Sequence, residues 1–236
     1  GRNIGNAYFG VHTSANYRDL DIAAVGPIVR EASQVFDHFW NGSWSFPIAG
    51  LVDRTYTKAD LEQTLAAARE SIRKSDFPHP LNQDVENLRR DLTEIREDLI
   101  WAPGQVIWDD PAAVQKGEEA DTIDTALIRK FQTLKKELLI ESAYFVVRER
   151  GVKAAEMLRE RGVRVRILTN SMASNDVLPA HAGYAENRKE LVEAGVELYE
   201  LRADTRSAMV EGAQEAKAAL HTKAIVFDRE SVFIGS

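Results

Sequence analysis

This sequence predicts an α/β chain, a mostly parallel sheet flanked by helices with a helical insertion, and three observations predict it. From Asp124 onward, stretches of strand character alternate with stretches of helical period: a helix over 122–134, a strand over 138–143, a helix over 151–161, a strand over 163–169, a helix over 180–194 and a strand over 196–201. Gly162 and Gly195 stand just past two of those helices, where a left-handed residue ends a helix. Between 57 and 99 the period is helical throughout, which marks an insertion or arm rather than part of the sheet. Strands that alternate with helices imply right-handed crossovers and a sheet covered on both faces. The loops at the C-terminal ends of such strands are where a site belongs.

Composition narrows the function classes. The net charge of −7 and the acidic pI argue against a broadly basic nucleic-acid surface, so no nucleic-acid partner is expected. With no cysteine, disulfides and thiolate metal sites are excluded. The longest uncharged stretch, 41–52, falls well short of a membrane span.

In chain order, residues 8–12 read as a loop and 17–25 as a strand. Gly26-Pro27 ends that strand and opens a helix to Trp40, with Ile28, Ala32, Val35, Phe36 and Phe39 on one apolar face. Residues 36–51 hold the densest run of aromatic rings. They are expected to cap the core, the other reading being a surface that dips into lipid headgroups. His38, on the helix, is expected to face solvent. Thr57 caps a helix to about 75, Phe77-Pro78-His79-Pro80 breaks it, and a second amphipathic helix spans 83–99. Residues 105–108 read as a short strand closed by Asp109-Asp110-Pro111. Two adjacent carboxylates suggest a metal, but no third ligand stands at a suitable spacing, so they read as loop and cap and no metal is expected. Residues 202–217 read as a flexible connection.

The chemistry is concentrated in the last sixteen residues, His221 to Ser236. If 221–228 is one strand, alternation puts His221 and Lys223 on the same face, an imidazole beside an ammonium. A neutral imidazole attacks phosphorus or accepts a proton, and a lysine holds a phosphate oxygen as a point charge, so a phosphate substrate is suggested. Asp228 ends the strand in a turn, from which it orients an imidazole or pairs with a lysine. Taken alone, the same residues also fit a half-buried strand with a chance His and a snorkelling Lys. Elsewhere, Thr169-Asn170-Ser171 ends a strand with polar groups suited to phosphate oxygens, and His181 opens a helix whose backbone N–H groups suit an anion.

The full pattern His221-x-Lys223-x4-Asp228-x6-Gly235-Ser236 resembles the repeated motif of the phospholipase D superfamily. At the other end, Gly1-Arg2-Asn3 resembles the tail of a first copy, with Asn3 as the family asparagine. The strand end Glu141-Ser-Ala-Tyr144-Phe145 is similar to a pocket-lining Tyr-Phe segment of the family, with Ala143 where a proline is usual. His181-Ala-Gly183-Tyr184 resembles the cardiolipin-synthase-like branch. The resemblance implies a phospholipase D-like fold and a segment of a longer enzyme: 1–55 from the first half, 56–103 an insertion or arm, and 104–236 the second half, truncated at its motif. It implies two-step phosphoryl transfer through a phosphohistidine, without metal or cofactor. The first motif, missing here, supplies the nucleophile; His221 is the acid/base, Lys223 and Asn3 clamp phosphate, Asp228 orients and Ser236 supports the pocket. Tyr144, Asn170 and His181 would meet substrate. The implied partners are a phospholipid, a membrane surface on the cytoplasmic side of the inner membrane, and the first motif of the same protein. The 236 residues alone are expected to hold half a site and to be inactive. A hydrolytic phospholipase or nuclease, or a non-catalytic packing or dimerisation module, are the alternatives.

Overall fold

A computed structural model of the chain describes residues 2–10, 12, 14–53, 55–74, 85–116, 123–204 and 217–235. The expected break at Pro78-His79-Pro80, most of the connection expected over 202–217, and Ser236 lie outside the described residues. The chain divides into two compact units, Gly1–Ala23 with Ile123–Ser236, and Ala24–Thr122.

The first unit carries the alternation. Its elements are β1 (Ala15–Arg18), α5 (Ile123–Thr133), β2 (Glu137–Ser142), α6 (Glu149–Glu160), β3 (Arg164–Asn170), α7 (Leu178–Glu193), β4 (Glu197–Leu201), β5 (Lys217–Leu220), β6 (Lys223–Phe227) and β7 (Ser231–Ile234). Along β3 the pleat buries Val165, Ile167 and Thr169 and leaves Arg164 in solvent. On α6, Val152, Ala155 and Leu158 recur at three-residue spacing and form its buried face. Gly195 adopts φ 88°, and a Cβ there would meet the Arg159 side chain at 2.7 Å, so glycine suits both the backbone and the space.

Five strands form one sheet in the order β4-β3-β2-β6-β7, with β2, β3 and β4 mutually parallel and β6 and β7 antiparallel to their neighbours. The fold is α/β as expected, and the sheet is mixed because the last two strands form a hairpin. The core between sheet and helices is built by Leu134, Leu138, Val152, Leu158, Val165, Ile167, Leu191, Val196 and Phe227. A second, two-stranded ladder pairs β1 with β5 in parallel.

Three strand expectations are corrected. The strand expected over 17–25 is β1, Ala15–Arg18, because the next residues turn their carboxylates to other uses. Asp19 Oδ1 accepts the Leu20 amide at 2.9 Å, and Asp21 pairs with Arg2 at 2.6 Å. Residues 105–108 form no strand; the Val106 amide donates to Glu31 Oε2 at 3.2 Å instead of to a ladder. The single strand expected over 221–228 is broken at His221-Thr222, where the chain passes from the β1 ladder to the β2 ladder. His221 N donates to Arg18 O at 2.8 Å, and Thr222 O accepts Ala143 N at 3.0 Å.

The second unit holds α1 (Pro27–Trp40), α2 (Lys58–Lys74), α3 (Val85–Glu97) and α4 (Pro111–Lys116). Gly26, at φ 92°, and Pro27 open α1 where the sequence placed its start. Thr57 and Asp60 cap α2 reciprocally: Thr57 N donates to Asp60 Oδ2 at 2.8 Å, and Asp60 N to Thr57 Oγ1 at 3.2 Å. Asp110 accepts the Ala112 amide at 2.8 Å as a cap of α4, and its other oxygen lies 3.3 Å from His38 Nε2. His38 is exposed as expected, with its ring 4.7 Å from that of Trp108. The aromatic run does not cap a core. Phe36, Trp40, Trp44 and Phe46 are exposed, and among the described residues of this unit none is buried, since the unit has no sheet for them to pack on. No helix among the described residues is long and apolar enough to cross a membrane.

Candidate active site

His221 lies at the crossing between the two ladders, and both ladders fix it. Its own amide is held by β1, and the residue before it, Leu220, is clamped by Asn170. Asn170 Oδ1 accepts Leu220 N at 2.8 Å, while Nδ2 donates to Leu220 O at 2.9 Å and to Ala143 O at 3.1 Å. Asn170 is 1% exposed and bonded to backbone on both amide atoms. The residue marked for phosphate binding is thus a clasp behind the site, tying the end of β3 to the ends of β2 and β5.

The imidazole meets a carboxylate and an ammonium. His221 Nδ1 lies 2.8 Å from Asp19 Oδ2, with side-chain exposures of 12% and 5%. An ionised carboxylate only accepts, so Nδ1 is the donor and Nε2 is left with its lone pair in the neutral ring. Lys223 Nζ stands 3.3 Å from Nδ1 and 3.2 Å from Nε2, and it donates to His221 O at 2.9 Å. Imidazole and ammonium therefore sit side by side, as the spacing His221-x-Lys223 requires, although His221 lies outside the strand that begins at Lys223.

Three tyrosine rings surround the imidazole. Tyr8, Tyr17 and Tyr144 have ring centroids 5.0, 5.6 and 6.4 Å from that of His221. Asn3 Nδ2 donates to Tyr8 Oη at 2.8 Å, and Arg2 holds this stretch by donating to Tyr8 O at 2.8 Å and to Asp21. Asn3 thus lies one hydrogen bond from a ring that touches His221. The hydroxyls of Tyr17 and Tyr144 both reach Asp176, in the loop between β3 and α7. Burial first, and then Asp176, push the Tyr144 hydroxyl up to about 12 and raise that of Tyr17 further.

Asp228 stands elsewhere. It closes the β6–β7 hairpin with φ 54°, followed by Arg229 at 58°, a turn with two left-handed residues. Its carboxylate accepts the amides of Lys135, Lys136 and Glu137 at 2.9, 2.8 and 2.9 Å. These bonds, that from Glu137 foremost, hold it below the usual carboxylate range. It does not orient the imidazole, being five residues along the strand from Lys223, about 17 Å; Asp19 holds that place. The hairpin explains the spacing of the motif, since it carries Gly235 back beside Lys223, whose carbonyl accepts the Gly235 amide at 2.8 Å.

His181 lies in the first turn of α7, with its ring 5.8 Å from Tyr184. Its Nδ1 is buried without a hydrogen-bond partner among the described residues, and none of its ring contacts is with the His221 cluster. The structure thus brings together His221, Lys223, Tyr144 and Asn3, and leaves Asp228, Asn170 and His181 outside. Reasoning from sequence missed Asp19, Tyr8, Tyr17 and Asp176. The run Tyr17-Arg18-Asp19 directly after the Asn3 stretch was the available signal, but alternation there pointed only to a strand.

Residues 127–236 match the family described as cardiolipin synthase, PLD-like domain. Cardiolipin synthase C of Escherichia coli strain K12 is 32% identical over all of this chain and 51% of its own length. An uncharacterised protein of Helicobacter pylori strain J99 is 27% identical over all of this chain and 47% of its own. The chain thus spans about half the length of the curated relatives it matches. The solved structure of a phosphatidylserine synthase from Haemophilus influenzae Rd KW20 aligns with a TM-score of 0.36 and 16% identity, over 84% of this chain and 42% of that one. The match over residues 127–236 takes in the His221-x-Lys223 constellation, so this stretch is similar to the PLD-like domain of cardiolipin synthases.

Proposed function

We propose that this chain supplies the acid/base half of a phosphatidyltransferase that joins a phosphatidyl group to a phospholipid hydroxyl, giving cardiolipin-type lipids. The observation that carries the reading is the Asp19–His221–Lys223 arrangement, with an imidazole oriented at Nδ1 and a phosphate-holding ammonium beside its other nitrogen. In this reading, a histidine of the partner motif outside these residues attacks the donor phosphodiester. His221 Nε2 then gives a proton to the departing alkoxide as the P–O bond breaks. In the second step the neutral Nε2 takes the proton of an acceptor hydroxyl, whose oxygen forms the new P–O bond as the P–N bond breaks. Lys223, with Asn3 and Tyr8 at the edge, opposes the charge on the phosphoryl oxygens, where fixed donors act most strongly. Asp19 favours the charged imidazole that opens the first step and is restored by the second.

A phospholipid substrate would bring the working protein to a membrane surface, and the exposed rings Phe36, Trp40, Trp44 and Phe46 are consistent with such a surface. A hydrolase of the same superfamily is the second reading, since water would serve the same imidazole. Full-length protein on vesicles of phosphatidylglycerol should form a diphosphatidyl product and glycerol by mass spectrometry, with His221→Ala reducing the rate at least about 10²-fold. Cleavage of DNA without any lipid turnover would overturn the reading.

A further inference from the structure

The hydroxyls around His221 are of two kinds. Tyr17 Oη donates to Asp176 Oδ2 at 2.6 Å, and Tyr144 Oη donates to Asp176 Oδ1 at 3.0 Å, with Oδ2 at 3.3 Å. A phenol has one proton, and an ionised carboxylate has none to return, so both oxygens are left as acceptors only. Tyr8 Oη is the opposite case. It accepts the Asn3 amide, and its own proton has no acceptor among the described residues. Lys223 Nζ and the Tyr8 hydroxyl are therefore donors near the imidazole, which suit a phosphoryl oxygen. Tyr17 and Tyr144 present two acceptor oxygens bridged by one carboxylate. A phosphate oxygen there would find no donor, whereas an alcohol O–H would find an acceptor; leaving such a group unpaired is what makes a polar site selective.

Resting on the transferase reading above, we propose that Asp176 is a positioning residue that fixes the proton direction of Tyr17 and Tyr144, so that this wall seats a hydroxylated acceptor and favours transfer over hydrolysis. An acceptor oxygen tied to this carboxylate holds one hydroxyl of a polyol and so orients its neighbour, in a way that a separate water molecule is not oriented. The hydroxyl held there keeps its proton, and its neighbour on the same skeleton gives its own proton to His221 Nε2 as that neighbour's oxygen bonds to phosphorus and the phosphohistidine bond breaks.

Substituting Asp176→Asn keeps the shape but replaces one acceptor oxygen with an NH₂ donor, so one tyrosine must turn its proton elsewhere. In the full-length protein on phosphatidylglycerol vesicles, the ratio of diphosphatidyl product to phosphatidic acid should fall about tenfold, the size expected for one hydrogen bond. That ratio does not depend on how much of the variant is folded. Tyr17→Phe and Tyr144→Phe, which keep the rings, should each lower it as well. A spectrophotometric titration needs no turnover: in Asp176→Asn, two tyrosines should ionise at lower pH than in the wild type, because burial still raises them but the carboxylate's added contribution is gone. A ratio unchanged in all three variants, or an unmoved tyrosine titration, overturns the proposal. Wild-type protein that consumes donor and only hydrolyses it would instead sink the transferase reading together with this one.

Discussion

His221 illustrates how little of a site one residue can specify. Its ring is useful because Asp19 fixes which nitrogen carries the proton, and Asp19 lies 202 residues away in the chain. A separation of that length leaves no trace in spacing or periodicity, so the carboxylate that orients the imidazole could be found only once β1 was paired with β5. Asp228, at a fixed motif position and only seven residues from His221, drew the same role from sequence and does not fill it. Asp19→Asn removes the charge that stabilises the imidazolium and allows the wrong tautomer. It should lower kcat of the full-length protein by about 10²–10⁴-fold while leaving the melting temperature nearly unchanged. A kcat within a few-fold of wild type would show that the carboxylate does not act on the ring.

At the scale of elements, the hairpin of β6 and β7 converts motif spacing into geometry. Asp228 holds the turn to the start of β2 through three backbone amides, which keeps β6 in register and so places Lys223 opposite Ser142. Asparagine tolerates the left-handed backbone at this position, but its amide nitrogen cannot accept the Lys135 amide that Oδ2 now takes. Asp228→Asn should therefore lower the melting temperature by several degrees at neutral pH. Because the folded carboxyl titrates below its ordinary value, its contribution is present above about pH 4 and is lost as pH falls through the folded value, so wild type and variant should converge in acid. A difference that persists unchanged into acid would assign the effect to the backbone rather than to the charge. Much of this level was legible. The bounds of α1 match the Gly26-Pro27 start and the aromatic end, and the alternation from Ile123 onward gave β2, α6, β3, α7 and β4 to within a few residues. The strand β5 was not, because Lys217-Ala-Ala-Leu220 has poor intrinsic preference for a strand and is held by pairing with β1 and by Asn170. Nor was the change of ladder at His221-Thr222, which depends on partners far away in sequence.

For the molecule as a whole, the two units differ in how they are stabilised. Every buried apolar side chain among the described residues lies between Leu134 and Phe227, in the unit that holds the site, while Phe36, Trp40, Trp44 and Phe46 of the other unit are exposed. The sequence identified those rings but not their surroundings, since an amphipathic helix reads the same whether its stripe meets a core, a membrane or another protein segment. The site has the same character at larger scale, since the transfer proposed for it needs a second histidine and His221 supplies proton traffic rather than attack. The most direct test is the dependence on leaving group in full-length protein, measuring donor cleavage for a phosphatidyl ester of p-nitrophenol beside phosphatidylglycerol. A nitrophenolate departs without a proton, so His221→Ala should slow the glycerol donor by at least about 10²-fold and the nitrophenyl donor far less. Equal loss on both donors would contradict the account, because it would make His221 the attacking group or remove it from the proton path.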